Sequence, residues 1–202
     1  MNELEDELLE ELEKSDLLET TGLEKLHIFV DVFRRWNEKI NLMSRKGIQH
    51  LVERHIKDGL PLAKNLGKEA RCIDVGSGGG LPGIVVASLR PDCEVHLVEP
   101  LRKRVLFLRE TKKTARLDNI TILGKRIEEL EVHGSYTEAF SRATFDPIKW
   151  LEIGEGLVKR GGRVWFFLSE KQWEGFNPPG VFQKEEYFLD EGRKRILLGI
   201  HF

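Results

Sequence analysis

The sequence has no apolar run long enough to cross a membrane and almost no cysteine. No window of about 18 or more apolar residues occurs, which argues against a transmembrane helix. The chain begins acidic, whereas secretory leaders begin basic and then turn apolar. Its two cysteines, Cys72 and Cys93, form no C-x-x-C pair and lack metal-like spacing. We therefore predict reduced core thiols in a cytoplasmic protein without a metal site.

The net charge of −2 hides an uneven distribution of acidic and basic residues. Residues 1–19 carry nine acidic side chains and one basic side chain, a net charge of −8. The remaining residues carry 31 basic and 25 acidic side chains, a net charge of +6. A basic body admits a polyanionic partner such as RNA but does not require one. The basic residues are dense over 102–126, where a solvated helix face explains the charge equally well.

Helical periodicity dominates the first third of the chain. Leucines at mostly helical spacing predict an amphipathic helix over residues 3–19, which Gly22 is expected to interrupt, and a second helix follows over 23–43. One or two shorter helices complete this region. We therefore predict two units, an N-terminal helical cap over residues 1–66 and a second unit over residues 67–202.

After residue 67, segments typical of strands alternate with segments typical of helices. The predicted strands are 71–75, 94–98, 119–123, 136–140, 163–168, 181–189 and 194–202. The predicted helices are 83–89, 102–115, a short one near 127–130, and 147–158. This alternation predicts an α/β fold with a parallel, doubly wound, Rossmann-like sheet and right-handed crossovers. The last two strands are expected to add an antiparallel hairpin at one edge.

The first strand-to-helix turn, IDVGSGGGLPG, is the expected ligand site, because doubly wound sheets bind ligands outside the carboxyl ends of their strands. Glycine lets the backbone approach a ligand without a Cβ in the way. The turn can be read as G-x-G-x-x-G through Gly78, Gly80 and Gly83, which indicates a dinucleotide. It can also be read as D-x-G-x-G-x-G, beginning with Asp74, Gly76 and Gly78, which indicates S-adenosylmethionine.

Charge separates these two ligands. A pyrophosphate is anionic and favours a bare helix N-terminus without a carboxylate nearby. S-adenosylmethionine carries a sulfonium and an ammonium cation, and its one carboxylate can be received by the glycine N–H groups. The acidic side chain of Asp74 therefore favours S-adenosylmethionine as the cofactor.

Residues after the second and third strands suit an adenosine. Glu99 follows the second strand, 25 residues after Asp74, where a carboxylate can accept hydrogen bonds from both ribose hydroxyls. This acid fits a dinucleotide equally well. After the third strand, Ile127 offers a backbone group and an apolar face to an adenine ring, and Glu128 offers an acceptor to its exocyclic amine. Ordinary surface or helix-start glutamates are the alternatives.

The segment after the fourth strand lacks the [DNS]-P-P-[FYW] motif that is common in methyltransferases acting on exocyclic amines. It reads SRA at 141–143, and the NPP at 177–179 follows the fifth strand and is interpreted as a loop. No histidine or cysteine is placed for nucleophilic catalysis, and His55 is expected to be structural. Such a site suits an acceptor that loses no proton, such as guanine N7, for which positioning and charge supply the catalysis.

Six segments, in order over residues 36–143, resemble the bacterial small-subunit ribosomal RNA guanine-N7 methyltransferases, a family also known as glucose-inhibited division protein B. The segments are WNEKINLMS, ERHIKDGL, IDVGSGGGLPGI, RPDCEVHLVEPLRKRVLFLRE, KRIEEL and SRA. The resemblance implies a class I S-adenosylmethionine-dependent methyltransferase with an N-terminal helical extension. It also implies methylation of one guanine N7 of 16S ribosomal RNA, in the small subunit near the decoding region.

The resemblance also implies site residues. By position, the family's cofactor contacts fall on Gly76, Leu81, Ile127, Glu128 and Arg142. We add Asp74, Gly78 and Glu99 from the chemistry above. Arg142 is the predicted catalytic residue, and it meets either a substrate phosphate or the methionine carboxylate. The chain departs from the family at Glu99, where aspartate is usual, and at 167–173 (FLSEKQW), where A-L-K-G is often found.

Two other functions stay open at this point: a small-molecule methyltransferase, and a non-catalytic RNA-binding or ribosome-assembly protein. With ribosomal RNA or the small ribosomal subunit as the partner, we expect a monomer that binds no membrane and no metal.

Overall fold

A computed structural model of the chain describes residues 20–177, 180, 182–189 and 192–202. The helix predicted over residues 3–19 lies outside these ranges. None of the described helices has the length and apolar character needed to cross a membrane.

The elements follow the predicted order. The helices are α1 (Thr20–Ile40), α2 (Arg45–Ile48), α3 (Leu60–Asn65), α4 (Gly83–Leu89), α5 (Arg102–Thr114), α6 (Pro147–Leu157) and α7 (Glu170–Glu174). The strands are β1 (Arg71–Val75), β2 (Glu94–Val98), β3 (Ile120–Leu123), β4 (Tyr136–Ser141), β5 (Val158–Ser169), β6 (Phe182–Phe188) and β7 (Lys194–His201). A π-helical segment (Leu51–Ile56) and a 3₁₀ turn (Lys57–Gly59) connect α2 to α3, and a second 3₁₀ turn (Ile127–Glu129) follows β3.

Within the described residues, seven strands form one sheet in the order β3-β2-β1-β4-β5-β7-β6. Strands β1 to β5 pair in parallel, whereas β7 pairs antiparallel with both β5 and β6. The predicted parallel sheet with a C-terminal antiparallel pair is therefore confirmed. The strand order reverses between β1 and β4, and this switch point is where such sheets bind ligands.

Both faces of the central strands are buried, which explains their nearly continuous apolar sequence. Along β1, Cys72 joins the hydrophobic core beneath α1, α4 and α5, and Ile73 joins the core on the opposite face of the sheet. The thiols of Cys72 and Cys93 are buried and free, as predicted.

The long helix α1 packs against α4 and α5 and contributes to the same core as the sheet. Phe107 of α5 lies among three rings of α1, those of Phe29, Phe33 and Trp36, with centroid distances of 6.4, 5.6 and 6.1 Å. The cap residues therefore form one face of the core. The division of the chain at residue 66 stays a prediction.

Two predicted boundaries are wrong. Gly22 lies inside α1 and does not interrupt it. Glycine serves packing there, because α4 approaches so closely that a Cβ would lie 3.0 Å from the Ser88 carbonyl oxygen. Strand β5 begins at Val158, before the predicted residue 163. Two glycines, Gly161 and Gly162, obscured its first half, since glycine is depleted in strands.

Replacing Phe107 with alanine is expected to lower the free energy of unfolding by about 3–5 kcal/mol, because it leaves a cavity between α1 and α5. Leu106 is the matched control, since it is the preceding residue of the same helix and is 45% exposed. Leu106→Ala is expected to change stability by only about 0.5 kcal/mol. Urea unfolding measures both values, and equal losses would contradict the packing of α1 on α5.

Candidate functional site

The carboxyl ends of β1 and β4 open into a cavity of about 600 Å³. Its wall combines the glycine turn after β1, the loop after β4, the cap residues around the π-helical segment, and residues of the C-terminal hairpin. The turn predicted from sequence therefore lines a cavity at the switch point of the sheet.

The glycine turn presents bare backbone to this cavity. Gly76, Gly78 and Gly80 have φ angles of 76°, 55° and 81°, in the left-handed region that favours glycine. A Cβ at Gly76 would also overlap the side chain of Thr144. Gly76 and Gly78 line the cavity together with Leu81. This part of the predicted site is brought together by the fold.

Asp74 lies beneath the turn and is only 1% exposed. Its Oδ2 accepts a hydrogen bond from the Gly83 N–H at 3.0 Å, whereas its Oδ1 is buried without a hydrogen-bond partner. Burial raises the pKa of this carboxyl to about 7, although the Gly83 hydrogen bond and the nearby Arg142 act in the opposite direction. An unpartnered buried carboxyl oxygen favours a hydrogen-bond donor or a cation beside it.

Glu99, which follows β2, stabilises the same turn through hydrogen bonds to backbone N–H groups. Its Oε2 accepts from the Gly78 N–H at 2.9 Å and its Oε1 from the Leu101 N–H at 2.8 Å. Arg104 lies 3.6 Å from the carboxylate and lines the cavity, whereas Glu99 is 2% exposed and lies behind the wall. Each carboxylate oxygen retains a further lone pair for another donor.

Four predicted contacts do not line the cavity: Asp74 and Glu99, which are buried behind the turn, and Ile127 and Glu128, which lie farther along the sheet edge. Ile127 is buried in the same hydrophobic core as Val75 and Val98, on the face of the sheet opposite to α1, α4 and α5. Glu128 is exposed in the 3₁₀ turn after β3. Both follow a strand at the carboxyl edge of the sheet, but neither lines the cavity in this structure.

Arg142 projects into the cavity and pairs with a residue that sequence reasoning missed. Its Nη1 donates to Asp58 Oδ2 at 3.1 Å and to the His55 carbonyl oxygen at 3.3 Å. Asp58 is 3% exposed, accepts from the Tyr187 hydroxyl at 2.5 Å, and lies 3.6 Å from Arg195 Nε. Asp58 therefore joins the cap to β4, β6 and β7. The segment ERHIKDGL contains it, but nothing local to that segment indicates its partners.

His55 is half-buried and lines the cavity. Burial and the positive charge of Arg142 lower its pKa to about 4, so the imidazole is neutral at pH 7. Burial, and the neighbouring charge of Asp58, raise the pKa of Tyr187, which stays a hydroxyl donor. Near neutral pH the His55 imidazole is therefore neutral and the Tyr187 hydroxyl keeps its proton.

Positive charge dominates the described residues of the cavity wall. Five arginines face a single carboxylate, that of Asp58; they are Arg54, Arg104, Arg142, Arg193 and Arg195. A cleft of one sign attracts an oppositely charged ligand. The wall therefore suits an anionic group such as phosphate. Sequence reasoning found the basic stretch at 102–126 but gave no role to the arginines at 54, 193 and 195, which meet only in the fold.

Comparison with known proteins identifies relatives of this chain. The family described as GidB, rRNA small subunit methyltransferase G, matches residues 22–177. The ribosomal RNA small subunit methyltransferase G of Desulfotalea psychrophila is 37% identical over 144 residues, covering 69% of this chain and 66% of the relative. That of Francisella tularensis subsp. tularensis is 35% identical over 144 residues, covering 71% and 69%. The chain thus spans about two thirds of these relatives.

Solved structures of lower identity share the fold. A SAM-dependent methyltransferase from Aquifex aeolicus superposes with a TM-score of 0.53 and 15% identity, covering 74% of this chain and 91% of that one. TYW2 from M. jannaschii, solved in complex with AdoMet, superposes with a TM-score of 0.54 and 13% identity, covering 72% and 74%. The predicted class I methyltransferase fold is therefore confirmed.

The buried carboxyl of Asp74 predicts a specific pH dependence of stability. The pKa of an exposed aspartate is 3.8 and that of Asp74 in the fold is about 7, so between these pH values the folded state binds more protons than the unfolded state. The carboxyl therefore lowers the free energy of unfolding as pH rises through this window, by up to about 4 kcal/mol. Asn at this position keeps an oxygen for Gly83 but does not titrate.

Asp74→Asn is thus expected to gain stability relative to the wild type between pH 4 and about 7. Urea unfolding at several pH values measures the difference, with the exposed Asp118→Asn as the control. Parallel stability curves for wild type and Asp74→Asn would show that the carboxyl does not titrate in this window.

Proposed function

The chain belongs to the rRNA small subunit methyltransferase G family, and we propose that it transfers a methyl group from S-adenosylmethionine to N7 of one guanine in 16S ribosomal RNA. The observation that carries this proposal is the unpartnered, buried Asp74 oxygen beneath a bare glycine turn, at an arginine-lined cavity. That combination suits a cationic cofactor and a polyanionic substrate.

The residues present fit S-adenosylmethionine better than a dinucleotide. Asp74 offers negative charge at the turn, which stabilises a sulfonium or an ammonium and repels a pyrophosphate. Gly76, Gly78 and Leu81 would hold the cofactor from the turn. Glu99 would accept from the ribose. Ile127 and Glu128 would contact the adenine, and since neither lines the cavity here, that contact rests on family position alone.

Methyl transfer to guanine N7 requires no proton transfer by the protein. S-adenosylmethionine supplies the methyl group: the sulfur–carbon bond breaks with its electron pair staying on sulfur, a carbon–nitrogen bond forms at N7, and no proton leaves. The wall matches this requirement, because His55 is neutral with a pKa of about 4 and Asp58 is engaged by Arg142 and Tyr187. Catalysis then depends on positioning and charge.

Arg142 is the residue that we place nearest to the reacting groups. One of its terminal nitrogens is bound to the protein, and no hydrogen bond from its Nε or Nη2 to the described residues is found. Those donors are available to a substrate phosphate or to the methionine carboxylate of the cofactor, and both remain candidates. The other cavity arginines would attract the RNA backbone. We retain a cytoplasmic monomer as the expected assembly.

Labelled S-adenosylmethionine, incubated with the protein and small ribosomal subunits lacking the modification, is expected to label one guanine at N7. Arg142→Ala is expected to lower this transfer at least about 100-fold, because charged donors preset at a reacting centre are worth that much. Arg160→Ala is the control, since Arg160 is exposed at the opposite end of β5. Thermal unfolding of each variant checks that the fold persists.

Mass mapping of the labelled nucleotide decides between the alternatives. Label on a small metabolite would favour a small-molecule methyltransferase. Binding of the ribosomal particle without any transfer by the wild type would favour a non-catalytic assembly protein. Unchanged turnover in Arg142→Ala would remove that residue from the site.

A further inference from the structure

A second, smaller cavity of about 110 Å³ adjoins the large one, at the carboxyl ends of β4 and β5. We name it the notch. Ala143 and Arg195 line both cavities, so a group in the notch would lie directly beside the main cavity. The notch is far too small for S-adenosylmethionine, and it has a different lining.

Aromatic rings form one part of the notch wall. Phe145 and Trp150 stack with a centroid distance of 5.9 Å and an interplanar angle of 9°, and Phe166 of β5 lines the notch from the same side of the sheet as Trp150, whereas the Phe167 ring packs in the core of the opposite face. Trp150 is fixed by a 2.8 Å hydrogen bond from its Nε1 to the Trp165 carbonyl oxygen. This backing holds the Phe145 ring in a defined plane, which suits stacking on a flat aromatic ligand.

Two side chains with hydrogen-bond donors border these rings, and one of them, Gln172, has a donor without a protein partner. Gln172 accepts from the Ser169 N–H at 3.0 Å and lies 2.9 Å from the Ser169 hydroxyl. Since a backbone N–H requires an acceptor, the bonded atom is the amide oxygen, which leaves the NH₂ group as a donor. No hydrogen bond from that NH₂ to any described residue is present. The Arg195 guanidinium also borders the notch, with its Nη2 donating to the Phe167 carbonyl oxygen at 3.3 Å, and no carboxylate is among the residues that line the notch.

A planar ring with acceptors along one edge matches this lining. Guanine presents O6 and N7 as acceptors on its major-groove edge, whereas adenine presents a donor, its N6 amine, at the equivalent place. A hydrogen-bond donor in the notch would therefore favour binding of guanine over adenine. Hydrogen bonding through O6 also leaves the N7 lone pair free.

We propose that the notch binds the acceptor guanine base, with its ring against Phe145 and its O6 accepting from the Gln172 amide. This assignment rests on the proposed function and adds the source of base selectivity to it. Gln172 is a specificity residue in this scheme, because it contacts a part of the base that does not react.

Gln172→Glu is the sharpest variant for a test. Glutamate and glutamine both serve as the partner of a helix-capping serine, so the link to Ser169 is kept while the NH₂ donor is replaced by an acceptor. We expect kcat/KM for small ribosomal subunits to fall about tenfold or more, with the Kd for S-adenosylmethionine unchanged by calorimetry. Asn177→Asp adds the same charge at an exposed residue outside the notch and is expected to keep near wild-type kcat/KM.

Combining the Gln172 variant with a changed target base distinguishes recognition of O6 from a general loss of activity. Small subunits are reconstituted with 16S ribosomal RNA carrying 2-aminopurine, which has N7 but no O6, at the target position. The wild type is expected to lose about tenfold on this substrate. Gln172→Glu is expected to lose nothing further from the base change, because the O6 contact is already absent. Phe145→Leu is expected to lower kcat/KM for both substrates by the same factor, and Phe145→Tyr is expected to keep kcat/KM near the wild-type value.

The possible failures are separable. The assignment is overturned if the wild type methylates the guanine and Gln172→Glu has the same kcat/KM. It is also overturned if the loss from Gln172→Glu and the loss from 2-aminopurine are additive, because the notch then does not bind O6 through Gln172. If the wild type labels no ribosomal RNA, the proposed function falls and the assignment falls with it.

Discussion

The hydrogen bond from the Gly83 N–H to the Asp74 carboxyl joins the end of β1 to the start of α4, and the site depends on it. A Cβ at Gly83 would lie 2.6 Å from Asp74 Oδ2, so glycine is required for this approach. The intervening residues must then bulge outward through left-handed glycines. The result is bare backbone at the cavity and, beneath it, a carboxyl oxygen without a partner.

A second set of interactions, centred on Asp58, determines which parts of the chain surround that turn. Asp58 comes from the cap, Arg142 from the end of β4, Tyr187 from β6 and Arg195 from β7, and all meet within the protein. Removing one partner from such a buried charged group is costly, so this cluster holds the cap and the C-terminal hairpin against the same wall. The arginines of the cavity are brought together by this convergence.

The sequence predicted the features that depend on neighbouring residues. Segments with strong apolar patterns, such as β1, β2 and α4, were placed with their observed bounds, and the glycine turn with Arg142 was assigned to the right edge of the sheet. Gly22 and the start of β5 were misplaced because glycine there serves packing or a strand, against its local preference. Asp58, Tyr187 and Arg195 had no local signal, since their roles come from partners up to 129 residues away in sequence.

The sequence also predicted only one of the two roles that we assign to Glu99. The sequence suggested a ribose ligand from the position at a strand end. The structure adds that the same carboxylate fixes the Gly78 N–H, so one residue would shape the turn and meet the cofactor. Under the proposed function, cofactor binding and turn geometry would be linked through the two acids, Asp74 and Glu99.

The most direct measurement is calorimetric titration of the wild type and Asp74→Asn with S-adenosylmethionine from pH 6 to 8, with NAD as the comparison ligand. Ionisation of Asp74, whose pKa is about 7 in the free protein, should strengthen binding of the cationic cofactor by the wild type relative to Asp74→Asn as pH rises. NAD should bind weakly throughout. A ratio of the two affinities that does not change with pH, or tight NAD binding without a response to S-adenosylmethionine, would contradict the electrostatic basis of the site.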